Sequence, residues 1–172
     1  MLIDISDILK ESGLSKVVTL DTTVTACGVQ EAECEFGEPL AVAAELTNIK
    51  GLIRVKGRIA VDYTTYCARC LKPIRQTINK DIEEEAVLIG SLNDEEEYYS
   101  YSGKELDLGW IVRDAILLDI PIRHLCGSDC KALCPKCGKD LNSGPCACVA
   151  ESGGGLFDAL KGFVAEEKTG ED

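Results

Sequence analysis

The chain reads as an α+β protein: an antiparallel β-sheet, a meander or partly open barrel, with one packed helix, a C-terminal Cys-rich zinc-binding segment and a terminal amphipathic helix. Three observations predict this. Apolar residues recur with a period close to two between Leu40 and Leu88. They recur at three- and four-residue intervals after Asp107. Six cysteines then fall within the 23 residues from Cys126 to Cys148.

Residues 1 to 36 alternate only weakly. Ile3 and Ile5 fit one face of a short strand, and Ser6 or Asp7 is placed to cap a brief helix through Leu9 that Gly13 ends. From Leu40 to Leu88 the runs LAVAAEL, LIRVKGRIAVDYTTY and IRQTINKDIEEEAVLI are separated by the turn-like Asn48 to Gly51 and by CARCLKP. Three such runs form an antiparallel meander with one face buried. Asn93 to Gly103 opens with the acids NDEEE and has the composition of a solvated loop or a poorly paired edge.

Asp107 is a capping residue for a helix that carries Leu108, Ile111, Val112, Ala115 and Leu118 on its apolar side, and Pro121 stops it. That helix is expected to lie across the sheet. After the cysteine block come the glycines 153 to 155 and LFDALKGFVAEEK, where Leu156, Leu160 and Phe163 share one side of a helix. The organisation is therefore a core over 1–122, a Cys-rich segment over 123–150, and a hinge with a terminal helix over 151–172.

A net charge of −12 over 172 residues repels polyanions and anionic membranes, so any nucleic-acid contact must be local. The opening MLIDISDILKESG has acids where a secretory signal needs a basic start, and no apolar stretch approaches the ~20 residues of a membrane span. A cytoplasmic protein without a membrane partner is expected. Ten cysteines in a reducing compartment point to metal before disulfides.

Cys134-Pro-Lys-Cys137-Gly138 has the form of a zinc knuckle, in which two thiolates three apart reach one tetrahedral ion and glycine permits the tight turn that follows. Cys146 and Cys148 follow a turn-forming NSGP and can complete four ligands, although alternate strand residues point apart, which makes Cys148 the least natural member. Cys67 and Cys70 form a second CxxC in a turn between strands, and with Cys126 and Cys130 they can hold a second ion. Other groupings satisfy the spacing equally: Cys67, Cys70, Cys134 and Cys137, or Cys126, Cys130, Cys134 and Cys137. One or two zinc ions per chain are expected.

His124, the single imidazole, is a candidate replacement ligand, but a lone histidine beside a proline is more often a packing or surface residue. Buried reduced thiols are the alternative for the cysteine block. Its Gly, Ser, Asp, Lys and Asn neighbours do not make an apolar core, so metal is the better reading there. For Cys27 and Cys34, isolated among strand-like residues, packing is expected. A structural ion contributes on the order of 10 kcal/mol to folding such a segment.

Between Lys50 and Lys80 eight basic residues stand against the single acid Asp62, a local net of +7. Arg54, Lys56 and Arg58 alternate with apolar residues and share the outer face of a strand, and Arg69 and Lys72 extend them at the CxxC turn. Such a ribbon is a candidate track for RNA phosphates, and contact with RNA backbone or with a basic ribosomal protein is expected. The competing reading pairs these cations with the acids of residues 81 to 85. No thiol stands beside a free base, no glycine loop is built to cradle phosphate, and no carboxylate pair has a recognisable setting. Neither an enzyme nor a small-molecule substrate is expected.

CARCLKP after a strand, DAILLDIP on a helix, CGSDCKALCPKCGKDLNSGPCAC and a terminal LFDALKGF together resemble the cysteine-rich branch of the YceD family, over about residues 40 to 165. That resemblance implies a non-catalytic factor for accumulation of large-subunit (23S) ribosomal RNA in a bacterium, with ribosomal RNA or a large-subunit ribosomal protein as partner. It places the family's CxRC motif on Cys67, Arg69 and Cys70. A zinc-thiolate, redox-regulated chaperone is the alternative that CxxC followed by CxC suggests.

Overall fold

Alternating apolar residues of two long strands make the centre of the sheet. β5 (Leu52–Tyr66) buries Ile53, Val55, Ile59, Val61 and Tyr63 on one face and turns Arg54, Lys56 and Arg58 to the other. It pairs antiparallel with β6 (Pro73–Leu88) from Ile53↔Ala86 to Tyr66↔Pro73. The computed structural model describes residues 1–29, 34–90 and 98–148. The remaining strands are β1 (Leu2–Asp4), β2 (Ser15–Thr22), β3 (Glu35–Phe36), β4 (Leu40–Ile49), β7 (Tyr99–Ser102) and β8 (Glu105–Asp107).

Their order is β1-β8-β7-β6-β5-β4-β2, with β3 paired to β5 beyond the end of β4. β6 and β7 run parallel and the other pairs run antiparallel. The sheet curls without closing. Lys16 on β2, the last strand in the order, reaches the carbonyl of Asp4 on β1, the first, at 2.7 Å and the Asp7 carboxylate at 3.0 Å. Buried Asn48 fastens the β4–β5 turn to the N-terminal segment, donating to Ile8 O and accepting from Gly51 N, both at 2.8 Å.

Among the described residues the one α-helix, α1 (Leu108–Asp119), begins at Asp107, whose carboxylate accepts from Gly109 N at 2.9 Å, and ends before Pro121, as its sequence predicts. Leu108, Ile111, Val112 and Ile116 enter the core. One expected core residue does not: Leu118 is 85% exposed, and Ile116 takes its place. Cys27 and Cys34 pack in the core as expected.

Tyr98 to Gly103 differs from the expected loop or loose edge. Tyr99-Ser100-Tyr101-Ser102 is strand β7, with β6 on one side and β8 on the other. Tyr101 is buried and donates to Gly51 O at 2.7 Å. Its period-two pattern is only four residues long and follows an acidic run, which hides it. That run and the segment with Leu156, Leu160 and Phe163 lie outside the described residues. Among the described residues no helix is long and apolar enough to cross a membrane.

The chain falls into two compact units, Met1–Cys130 and Lys131–Asp172. The first holds the sheet and α1. The second, over its described residues, is a short cysteine-bearing turn structure with a Leu133↔Asp140 bridge and a 3₁₀ turn, Leu141–Ser143, capped by Asp140.

Candidate metal centres

The β5–β6 hairpin closes through a cysteine turn. Leu71 N donates to Cys67 O at 2.9 Å and Cys67 N to Lys72 O at 2.8 Å, which brings Cys67 and Cys70 to one side of the loop. The chain after α1 returns to it: Ala68 N donates to His124 O at 2.8 Å, Cys126 N to the Cys67 sulfur at 3.4 Å, and Arg69 to Cys130 O at 3.1 Å. Cys67, Cys70, Cys126 and Cys130 thus meet with every pair of sulfurs within 4.8 Å. Cys67 and Cys130 are 3.9 Å apart and Cys70 and Cys126 3.6 Å.

Around a tetrahedral ion with metal–sulfur bonds of about 2.3 Å, sulfurs stand roughly 3.8 Å apart. Cys67 to Cys130 and Cys70 to Cys126 lie close to that edge length, and these sulfurs are too far apart for a disulfide bond of about 2.05 Å. Cys134, Cys137, Cys146 and Cys148 form the second tetrad, again within 4.8 Å of one another. Of the groupings that spacing allowed, the structure assembles these two. His124 belongs to neither. Its imidazole is buried against Tyr63, ring centroids 5.6 Å apart, with Nδ1 3.3 Å from Gln76 Oε1.

The two CxxC turns share one hydrogen-bond scheme. In the second, Gly138 N donates to Cys134 O at 2.9 Å and Cys134 N to Lys139 O at 2.8 Å. Both need left-handed backbone just after the second cysteine. Gly138 supplies it at φ 70°, and Leu71 adopts it at φ 57°. An L-residue there costs about 1–2 kcal/mol more than glycine.

The turns also set the charge of the sulfurs. The Cys70 amide, helped by those of Arg69 and Cys126 and opposed by burial, brings the Cys67 thiol down to about 6. Amides of Cys137 and Lys136 bring Cys134 down to about 6. Hydrogen bonds among the sulfurs hold other members protonated: those to Cys70 and Cys130 push Cys126 up to about 12, and the one to Cys137 together with burial does the same to Cys148. A divalent cation favours the deprotonated sulfurs, and each tetrad has the donors to chelate one. Burial separates the tetrads: in the first only Cys126 is exposed, whereas in the second only Cys134 is buried.

Of the basic residues singled out above, Arg54, Lys56, Arg58 and Arg69 have partners within the sheet unit. Arg54, Lys56 and Arg58 do share the outer face of β5, and each meets the carboxylate directly across on β6: Glu85 at 3.0 Å, Glu83 at 2.7 Å and Asp81 at 2.7 Å. Arg69 braces the first tetrad through Cys130 O, and Lys72 is exposed with its carbonyl in the cysteine turn. Sequence reasoning missed the role of Arg69. Its position between two cysteines of a turn is the signal that was there to read.

Fold and site together define a small α+β protein with two four-cysteine clusters able to chelate a divalent ion, one at a hairpin tip of the sheet and one in a C-terminal turn unit. Residues 55–164 match the family model described as large ribosomal RNA subunit accumulation protein YceD, and the chain belongs to that family. It is 27% identical over 156 residues to a maize protein named large ribosomal RNA subunit accumulation protein YCED homolog 1, chloroplastic, covering 72% of this chain and 53% of that one. The Arabidopsis thaliana protein of the same name is 28% identical over 145 residues, 67% of this chain and 45% of its own. An uncharacterised protein of Mycobacterium tuberculosis is 29% identical over 122 residues, 69% of this chain and 59% of its own. The chain thus spans less than two thirds of the length of these relatives. No solved structure matches it.

Proposed function

We propose that this protein is a non-catalytic, cytoplasmic ribosome-biogenesis factor that supports accumulation of large-subunit ribosomal RNA by binding that RNA or one of its proteins. Membership of the YceD family, with relatives named for this role, is the observation that carries the reading. We further assign zinc to both tetrads, Cys67, Cys70, Cys126 and Cys130 in one and Cys134, Cys137, Cys146 and Cys148 in the other. Thiolate ligands and tetrahedral spacing favour zinc, and four protein ligands leave no open position for a substrate. The ions are clamps: the first ties the segment after α1 to the β5–β6 hairpin, and the second organises the turns between Lys131 and Cys148.

Depletion of the protein in its host, followed by measurement of the ratio of large- to small-subunit ribosomal RNA, tests the role. The ratio is expected to fall and to recover when the wild-type chain is resupplied. An unchanged ratio in cells shown to lack the protein removes the proposal.

A further inference from the structure

Leu71 occupies a backbone position that glycine serves without cost in the second cysteine turn, yet its side chain does nothing for the core, being 62% exposed. Retaining a large apolar residue against the preference of the backbone calls for a reason outside the fold. Its surroundings supply one. Leu71 lines a groove of about 670 Å³ together with Tyr66, 61% exposed, and Ile122, fully exposed at 101%. Arg123 and Glu35 add one charge of each sign. Three protruding apolar side chains around one groove are the anatomy of a protein-docking site.

We propose that this groove seats an apolar segment of a basic protein, and that Leu71, Tyr66 and Ile122 are its anchors. This rests on the ribosome-biogenesis reading, within which the partner is a large-subunit ribosomal protein and not the RNA itself. Charge decides the class. The chain carries −12, and of the eight cations between Lys50 and Lys80 five are already ion-paired with its own carboxylates: Arg54, Lys56, Arg58, Arg75 and Lys80. A polyanion meets a repelling molecule, and a second copy of this chain meets the same −12, whereas a basic protein is drawn in at long range and then held by apolar contact. The groove itself is near neutral, so it selects apolar side chains over phosphate.

The test uses the full-length, metal-loaded chain immobilised as bait, with two separate probes: total protein stripped from large ribosomal subunits, and deproteinised 23S RNA. Leu71→Gly relieves the left-handed backbone and deletes the anchor. It should leave the melting temperature equal or higher and the metal content unchanged, yet retain at least tenfold less ribosomal protein than wild type. Ile122→Ser, outside the cysteine turn, carries the same expectation, so an effect on metal in the first variant does not obscure the result. Equal retention of ribosomal protein by wild type and both variants overturns the groove while leaving the biogenesis role intact. A variant-dependent loss of RNA retention makes it an RNA site, and a variant-dependent loss of self-association in sedimentation makes it a dimer interface; either result sinks the proposal. Wild type that retains neither probe ends both the groove assignment and the partner reading beneath it.

Discussion

Lys56 on β5 faces Glu83 on β6 in register, with Nζ 2.7 Å from Oε1, and identical crossings by Arg54 to Glu85 and Arg58 to Asp81 flank it. The three pairs form a charge ladder on the outer face of the hairpin. Lys56→Glu places two carboxylates opposite each other and is expected to lower the melting temperature, by less in high salt. Lys56→Glu combined with Glu83→Lys restores the pair with its sign reversed, and thermal melts should return to near the wild-type value. A double variant no more stable than the single one rules out the ladder.

Gly57 lies in the middle of this hairpin, opposite Ala44. A Cβ there would stand 2.3 Å from Ala43 O and 2.8 Å from Ala44 Cα, both backbone atoms of β4 that cannot swing aside. Gly57→Ala is therefore expected to cost about 3 kcal/mol, at the upper end for overpacking, or to break the β4–β5 register. Denaturant unfolding measures it, and a loss under about 0.5 kcal/mol contradicts the close approach.

Unequal burial of the two tetrads predicts unequal release of their ions. Elemental analysis of reduced protein should find two zinc ions per chain, and a chromogenic chelator should take one at least tenfold faster than the other. Cys137→Ser, at an exposed ligand of the second tetrad, is expected to remove the fast phase and leave the sheet unit's unfolding unchanged. Cys67→Ser, at a sulfur with no solvent exposure, should remove the slow phase and destabilise that unit by several kcal/mol. A single release phase in wild type speaks against two distinct centres.

Asp107 couples the start of α1 to pH. Burial alone would raise its carboxyl, but the Met1 ammonium and the Gly109 amide outweigh burial and hold it below the usual carboxylate range. A depressed folded-state value means that the contribution is present above the ordinary carboxylate pKa of about 3.9 and is lost as pH falls through the lower folded value. Asp107→Ala is expected to cost about 1 kcal/mol at pH 7 and to flatten stability against pH in that acid window. Parallel wild-type and variant curves there would show that Asp107 keeps its ordinary pKa.

Much of the fold was legible. Long period-two runs specify β4, β5 and β6 because one buried face demands alternation, and Asp107 with Pro121 brackets α1 because both act through local backbone chemistry. The short strands were not. β7 and β8 have four and three residues, too few to show a period, and β7 is fixed by a parallel pairing with β6 and by the Tyr101 hydroxyl reaching Gly51 O, 50 positions away. Leu118 fits the apolar spacing of α1 but is exposed, since helical period marks a face without saying how far the sheet beneath it reaches.

The amino-acid sequence by itself determined the inventory: ten cysteines, two CxxC turns, an alternating basic strand and a run of acids, each a matter of residue type and spacing along the chain. Only tertiary structure decided which sulfurs share a centre and which cations stay available, because both depend on residues brought together by strand register and chain return. Cys67 meets Cys130 across 63 positions, and Lys56 meets Glu83 across a hairpin. Spacing constrains neighbours within a turn, but distances between turns follow from how the sheet buries its apolar face.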